Sequence, residues 1–350
     1  MRADDAHPRL AVASLGPFAR AALRDGARGR VLAVFRRSVY VRMDAGDAPG
    51  AGVACLGPLA LGAGALNALC ATPPHRPWPA LAVGDPARVR EGVLHVGAGG
   101  RYAVGAAPPW LPPAPAPVPP ARRAAGLARL RRVCAAAVPA RGLAALLLAP
   151  ERAASSPLEA ALHRQVRAAV AALEGWLAHA GGSAAPLHVP GGAPAQPIPE
   201  ALPALLGLGG GLTPAGDDLL GGALIALHAL GGVAPAEGLA AAVLARAPAR
   251  TGAISAAHLA AAARGLGAAP LHAVLEALAG PGRPDEGALT EALRRLDAIG
   301  HTSGWDAMAG VVAVWSAVRD PGQHPAGDRD PSALWALEPV ATRQEGGRQC

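Results

Sequence analysis

The stretch GLGGGLTPAGDD, residues 207–218, places five glycines, a threonine and two adjacent carboxylates in front of an apolar run. A Thr-Pro pair followed by acids is also a common helix start, because threonine can cap the first N–H groups and acids favour the positive end of the helix dipole. Capping leaves the glycines unexplained, since glycine costs about 1 kcal/mol relative to alanine inside a helix. Glycines in front of a helix expose backbone N–H groups to an anion. The stretch therefore predicts either a helix start capped by Thr213 or an anion site formed by Gly209, Gly210, Gly211, Thr213 and Gly216.

Asp217 and Asp218 would add acid–base or metal chemistry to such a site. Two carboxylates beside a bound phosphate could hold a divalent cation such as Mg²⁺, or could accept protons from a substrate amide. Both alternatives stay open, and no metal-ligand set is assigned.

A second stretch, IGHTSGWDAMAG at residues 299–310, repeats the order of these residue types. The two matched sets are Gly300, Thr302, Gly304 and Asp306 against Gly211, Thr213, Gly216 and Asp218. His301 lies beside two hydroxyls and a carboxylate, which suits acid–base chemistry. The alternative is that Ser303 and Asp306 form an ordinary helix cap. The repeat predicts two loops that meet at one site, with His301 and Asp306 as catalytic residues and Thr302, Ser303 and Gly304 as binding residues.

Between these stretches lies ARTGAISAAHLAAAARG, residues 249–265. Arg250 and Thr251 could bind a carboxylate or a phosphate, because a guanidinium presents a planar fork of donors, and Ser255 is a further candidate. The alternative is that Thr251 or Ser255 caps a helix and that Arg250 is solvated. His258 is predicted to be packed rather than catalytic.

The composition restricts the chemistry. The chain has no lysine, so all 32 basic residues are arginine, and Schiff-base mechanisms and Walker-type phosphate loops are excluded. The net charge is +7, but only 3% of residues are aromatic, which leaves little to stack bases on. We interpret the charge as a general attraction for small anions and expect no nucleic-acid binding.

The four cysteines form no CxxC pair, and the first residues lack a sustained apolar core. These features predict reduced thiols, no signal peptide and a cytoplasmic location. The apolar run after Asp218 is interpreted as a buried core helix rather than a membrane span.

The first third of the chain is predicted to be β-structure. VLAVF (31–35) and SVYVRM (38–43) are β-branched runs joined by Arg36 and Arg37, and VACLG, ALAVG, VLHVG and RYAVG follow between turn residues. The last two are expected to pair as a hairpin. Short strands at this spacing predict a small barrel or sandwich domain over residues 1–107. The proline-dense run at 108–120 is predicted to be a stiff linker.

Beyond the linker the apolar pattern has a helical period. Residues 155–182 predict an amphipathic helix with Ser156 as N-cap, Pro157 and Glu159 in its first turn, and an apolar stripe that starts at Leu158. We expect an α-helical domain over 121–319 and a polar, disordered tail over 320–350. The predicted fold class is therefore α+β, with a β-rich N-terminal domain followed by a mainly α-helical C-terminal domain.

The motifs LGLGGGLTPAGDDLLGG, RTGAISAAHLAAAARG and IGHTSGWDAMAG, within residues 206–310, resemble the AllH-type family, which is named after a subunit of oxamate carbamoyltransferase. Gly210 and Ala215 depart from the family's pattern, which usually has proline and serine there. The Ser-Thr-Arg-Thr phosphate loop of aspartate and ornithine transcarbamylases is absent, so their mechanism does not transfer.

The resemblance implies reversible carbamoyl transfer, in which oxalurate and phosphate exchange with oxamate and carbamoyl phosphate during allantoin (purine) nitrogen catabolism. It also implies partner subunits in a carbamoyltransferase complex. The expected ligands (carbamoyl phosphate, phosphate and oxamate) are small anions that suit helix N-termini and Arg250. The alternative is a non-catalytic assembly or anion-binding subunit.

Overall fold

The computed structural model describes residues 9–44, 51–71, 81–115, 118–135, 142–148, 154, 156–180, 197–280 and 285–318. In this part of the chain an N-terminal β-barrel is followed by a mainly helical region, so the predicted α+β class is confirmed. The predicted tail at 320–350 lies outside the described residues. The division of the chain into two domains at the 108–120 linker remains a proposal.

Eight strands close into the barrel in the order β1-β5-β4-β3-β2-β6-β7-β8. Their bounds are Leu10–Leu15 (β1), Arg28–Val34 (β2), Val39–Met43 (β3), Val53–Pro58 (β4), Asn67–Cys70 (β5), Pro86–Arg90 (β6), Val93–Val96 (β7) and Gly100–Ala103 (β8). The β4–β5 and β1–β8 pairs are parallel and the others are antiparallel. The predicted β7–β8 hairpin is confirmed.

One predicted strand is wrong. Residues 81–84 of ALAVG form a turn, because the Asp85 carboxylate accepts a hydrogen bond from the Ala82 N–H at 2.8 Å and Gly84 has a φ of +93°. The strand of this region starts instead at Pro86.

Strand β3 shows how the barrel presents side chains to the rest of the molecule. Val39, Val41 and Met43 are buried in the barrel core, as alternation along a strand requires. Tyr40 lies on the opposite face and packs against a separate cluster that includes Ala257 of the helical region. The barrel therefore contacts the helices through the outer face of β3.

The helices in the described residues are Pro17–Ala22 (α1), Pro120–Cys134 (α2), Ala144–Leu148 (α3), Pro157–Ala180 (α4), Ala215–Ala229 (α5), Val233–Arg250 (α6), Ala253–Ala262 (α7), Ala269–Ala279 (α8), Glu286–Asp297 (α9) and Ser303–Ala317 (α10). The Ser156 cap of α4 is confirmed, because its Oγ accepts the Glu159 N–H at 3.1 Å. Leu158 is 81% exposed, so the apolar stripe of α4 does not begin there.

Helix α5 is the apolar run that follows Asp218, and most of its residues are buried in the core, as expected. Within the described residues, no helix combines the length and the apolar character that crossing a membrane requires.

Helices α5 and α10 cross at a distance that only glycine permits. A Cβ on Gly222 would lie 1.8 Å from the carbonyl oxygen of Ala307, and a Cβ on Gly310 would lie 2.0 Å from that of Leu219. Gly222 and Gly310 each lie seven residues after the first residue of their own helix. Leu219 and Ala307, whose carbonyl oxygens they approach, each lie four residues after the first residue of theirs. The two helices thus exchange equivalent contacts, as in a pair related by an approximate two-fold axis.

Replacing Gly222 should therefore make the helical region easier to unfold. We expect Gly222→Ala to lower the free energy of unfolding by about 3 kcal/mol, because the added methyl overlaps backbone that cannot move aside. Urea titration followed by circular dichroism measures this change.

Gly221→Ala is the matched control, since a Cβ there meets only the Ala262 methyl at 3.7 Å. Alanine at this helical position should stabilise the protein by about 0.5–1 kcal/mol. Equal effects of the two substitutions would contradict the close crossing.

Candidate functional site

A cleft of about 780 Å³ lies between the barrel and the helical region. The turn between β2 and β3, strand β3 and the segment that leads into β5 form one wall. The loops in front of α5 and α10, together with α7, form the other wall. Both repeated stretches therefore reach the same cleft.

The structure places most of the candidate residues in the cleft lining, namely Gly210, Gly211, Thr213, Asp217, Asp218, Ser255, His301, Thr302, Ser303 and Gly304. The candidates outside the lining are Gly209, Gly216, Arg250, Thr251 and Asp306. Arg250 is the last residue of α6 and is exposed.

The side-chain caps, which were one of the two interpretations of each stretch, do not form. Helix α5 begins after Pro214 and α10 begins after Thr302, and neither N-cap residue makes a side-chain cap bond. Instead, the Thr213 Oγ1 lies 3.0 Å from the Ser303 Oγ. The hydroxyls link the two loops to each other because the close helix crossing brings the helix N-termini together.

The glycines of the first loop have different reasons to be glycine. Gly209 and Gly211 have φ angles of +110° and +96°, which other residues rarely adopt. A Cβ on Gly216 would lie 2.1 Å from the Leu205 carbonyl oxygen. Gly210 has no such requirement, because its Cβ would meet nothing within 4 Å. A Cβ on Gly211 would likewise meet nothing within 4 Å, so both Gly210 and Gly211 leave space open towards the cleft.

Asp217 joins three segments of the helical region. Its buried carboxylate accepts the Gly207 N–H at 2.7 Å and the Ser255 hydroxyl at 2.6 Å, and it also accepts the Thr251 hydroxyl. The hydroxyls of Thr251 and Ser255 are thus directed to Asp217. This arrangement holds the start of α7 and the loop at residue 207 against α5.

Asp306 is also buried and fixed, since its Oδ1 accepts the Leu143 N–H at 2.6 Å. Burial raises the pKa of this carboxyl, while the hydrogen bonds from Leu143 and Thr302 and the nearby His301 lower it. Asp306 joins α10 to the segment that leads into α3.

Asp218 occupies the position in α5 that Asp306 occupies in α10, but its environment differs. It is hydrogen-bonded to the hydroxyls of Ser303 and Thr213, and its Oδ2 is enclosed without a hydrogen-bond partner among the described residues. Burial raises the pKa of Asp218 well above its usual value; the two hydroxyls lower it, and Asp306 and Asp217 raise it. The carboxyl therefore keeps its proton to a higher pH than an ordinary aspartate and faces the cleft.

The barrel contributes residues that were not predicted as site residues. Arg36 and Arg37, in the turn between β2 and β3, are exposed and line the cleft. The Arg37 guanidinium donates to the Ala60 carbonyl at 3.1 Å. The sequence shows these arginines only as a polar pair between two strands, and nothing local indicates that the turn faces the α5 loop.

Tyr40 and His258 join the barrel to α7 at the cleft. The Tyr40 hydroxyl lies 3.3 Å from the His258 Nε2. Burial lowers the pKa of His258 to about 4, so its ring is neutral near pH 7. Burial, Cys55 and Asp218, in that order, raise the pKa of Tyr40. His258 is packed between the two regions, as expected, and it also lines the cleft.

Metal ligands and reactive thiols add little to this site. The described residues contain no group of three or more His, Cys, Asp or Glu side chains that could hold a metal ion. Among the described residues, Cys55, Cys70 and Cys134 are buried and form no disulfide, and burial raises the pKa of each to about 12. Cys350 lies outside the described residues.

Residues 205–315 match the model of a protein family described as oxamate carbamoyltransferase subunit AllH. The resemblance to this family is thereby confirmed over a segment that contains both loop-to-helix stretches and ends within α10. The barrel lies outside the matched segment. No curated protein and no solved structure matches the chain.

Asp217 and Asp218 are adjacent in sequence but have different hydrogen-bonding environments, so substituting each one tests the role assigned to it. We expect Asp217→Ala to lower the free energy of unfolding by about 3 kcal/mol or more, because it leaves a backbone N–H and two hydroxyls without their acceptor. Asp218→Ala should change it by less than about 1 kcal/mol, since the Thr213 and Ser303 hydroxyls can still pair with each other. Denaturant titration of both variants measures the difference.

The pH dependence of the free energy of unfolding tests whether the pKa of Asp218 is raised in the folded protein. Because its folded pKa is raised, its contribution to stability is fully present below the unfolded pKa of about 4 and is lost as the pH rises through the folded value. The stability of the wild type relative to Asp218→Asn should therefore fall as the pH rises above about 4. Parallel stability curves for the two proteins would show that Asp218 is not held in its protonated form.

Proposed function

We propose that this chain is a catalytic subunit of an oxamate carbamoyltransferase and that the cleft between barrel and helices is its active site. One observation carries the proposal: both stretches of the matched segment meet at a cleft where Asp218 presents an enclosed carboxyl oxygen without a partner. The partner subunits, the cytoplasmic location and the place of the reaction in allantoin nitrogen catabolism belong to the same proposal.

Small anions would bind where positive charge converges on the cleft. The N-termini of α5 and α10 meet there, and helix N-termini carry partial positive charge. Gly210 leaves space for an anion to approach the backbone. Arg36 and Arg37 supply full charges from the opposite wall, a role that the sequence had suggested for Arg250. These groups suit phosphate, carbamoyl phosphate and the carboxylate of oxamate.

In the direction of oxalurate cleavage, a phosphate oxygen forms a bond to the carbamoyl carbon, and the bond from that carbon to the oxamate nitrogen breaks. The leaving nitrogen must gain a proton, and the phosphate loses one. We assign the donation to Asp218, whose raised pKa suits a general acid. His301, which lines the same cleft, takes the phosphate proton, and solvent restores both groups.

The other candidates support this chemistry from their observed positions. Thr213 and Ser303 orient the Asp218 carboxyl, and Thr302 and Gly304 line the anion site. Asp217 and Asp306 position the loops through their hydrogen bonds to Gly207 and Leu143. Thr251 and Ser255 act through Asp217.

Removing the acid should abolish transfer without disrupting the complex. We expect Asp218→Asn, reconstituted with its partner subunits, to lose at least about 100-fold in carbamoyl transfer, the usual contribution of a general acid. Size-exclusion chromatography tests assembly in parallel. Glu237→Gln, an exposed change on α6, is the control that should retain activity. Full activity of an assembled Asp218→Asn complex would make this chain an accessory subunit.

The barrel arginines should determine anion affinity. Arg36→Ala together with Arg37→Ala should weaken phosphate binding by at least about tenfold, because each removes a charge-assisted hydrogen bond. Arg250→Ala removes an exposed arginine outside the cleft and should leave the Kd unchanged. Isothermal titration of the full chain with phosphate measures both. The reverse pattern would place the anion at the end of α6.

A further inference from the structure

We infer that Tyr40, held by His258, forms a subsite on the barrel wall for the uncharged carboxamide or ureido part of the substrate. This inference rests on the proposed function and deepens it by assigning the anionic and the uncharged ends of the substrate to different parts of the cleft. Tyr40 lies outside the segment that matches the family, whereas His258 lies within it.

The first step is the position of the Tyr40 hydroxyl. Tyr40 projects from the outer face of β3 into an apolar contact formed by Leu66, Ala257 and Ala261. Its hydroxyl is directed to the His258 Nε2, which belongs to α7 on the other side of the contact. A polar pair in such surroundings is costly unless its hydrogen-bonding groups are used.

The second step is the charge of the pair. Burial lowers the pKa of His258 to about 4, so its imidazole is neutral near pH 7. Burial is also the largest cause that raises the pKa of Tyr40, so its phenol is protonated there. A neutral imidazole nitrogen either donates or accepts, according to its tautomer. The Tyr40 hydroxyl also has the Cys55 thiol as a hydrogen-bonding neighbour. If Nε2 donates, the Tyr40 proton can go to a ligand or to the Cys55 sulfur, which is a weak acceptor; if Nε2 accepts, a lone pair of the Tyr40 oxygen is available. The pair therefore offers a donor or an acceptor but no charge.

The third step is the match to a ligand. A carboxamide or ureido group is planar and uncharged and has both a carbonyl acceptor and N–H donors, so either tautomer finds a partner on it. A phosphate dianion or a carboxylate is negatively charged and mainly accepts hydrogen bonds, so it binds more strongly to a cation than to an uncharged hydroxyl. Arg36 and Arg37 lie only three or four residues before Tyr40 but are exposed, whereas Tyr40 and His258 are partly buried. The cleft thus has a cationic rim and an uncharged floor.

Asp218 completes the floor from the helical wall. Both groups line the cleft, Tyr40 from the barrel and Asp218 from α5. A carboxamide held between them would receive one hydrogen bond from the barrel and one from α5. At about 780 Å³ the cleft has room for such a group together with its anionic end, since clefts of about 300–1,000 Å³ enclose much larger drug-sized ligands.

The test compares three probes of similar size: oxamate, which has a carboxamide and a carboxylate, oxalate, which has two carboxylates, and inorganic phosphate. Calorimetry is performed on the full chain and on the complex with its partner subunits. We expect Tyr40→Phe to weaken oxamate about tenfold, the usual effect of one lost hydrogen bond, and to leave oxalate and phosphate within about twofold. Tyr102→Phe is the matched control, because Tyr102 is the other tyrosine of the chain and lies inside the barrel core.

His258 is tested as a positioning residue. His258→Leu should weaken oxamate as Tyr40→Phe does and leave phosphate unchanged, whereas His258→Gln, which can still donate and accept, should restore most of the oxamate affinity. Thermal unfolding of each variant identifies loss of the fold, which would weaken all three probes together.

The outcomes separate this subsite from the proposed function. If the wild type binds all three probes and Tyr40→Phe weakens none of them, or weakens them equally, the subsite is wrong and the anion site stands. If the wild type and its complex bind none of the probes, the proposed function itself is overturned.

Discussion

The contact on which the rest of the structure depends is the crossing of α5 and α10 at Gly222 and Gly310. Backbone meets backbone there, because a Cβ at either position would overlap a carbonyl oxygen of the other helix. Glycine inside a helix costs about 1 kcal/mol relative to alanine, so two of them represent a real loss of helix propensity. The gain is that both helix N-termini reach one place, where the Thr213 and Ser303 hydroxyls lie 3.0 Å apart. Without that crossing the two loops would be separate helix starts.

This near-symmetric pair explains why equivalent carboxyl groups have different surroundings. Asp218 and Asp306 each stand three residues after the first residue of their helix. Asp306 accepts a backbone N–H from Leu143, so it is used to hold a neighbouring segment. Asp218 receives only hydroxyl groups and keeps an oxygen without a partner among the described residues. The departure from symmetry, rather than the repeat itself, is what leaves one carboxyl available for chemistry.

The parts of the molecule that local pattern determines were predictable from the sequence. Barrel strands follow from β-branched runs, the Ser156 cap follows from its Ser-Pro spacing, and the convergence of the two loops follows from their repeated residue order. The Thr213 cap, one of two interpretations of its stretch, does not form, and the hydroxyl instead pairs with Ser303, ninety residues away. Arg36 and Tyr40 were missed for a similar reason. Each has a sufficient local explanation, as a turn residue or a strand residue, and only the tertiary contact between barrel and helices places it in the cleft.

The arrangement of the cleft assigns different work to its two walls. The helical wall lies within the segment that matches the AllH family and holds the carboxyl and the converging helix ends, which are groups that can move protons and stabilise charge. The barrel wall lies outside that segment and holds two arginines and Tyr40, whereas His258, the partner of Tyr40, lies on α7 inside the segment. The arginines and Tyr40 can distinguish one ligand from another by charge and hydrogen-bonding pattern. A change in the barrel would then alter which small molecule binds while leaving the acid in place.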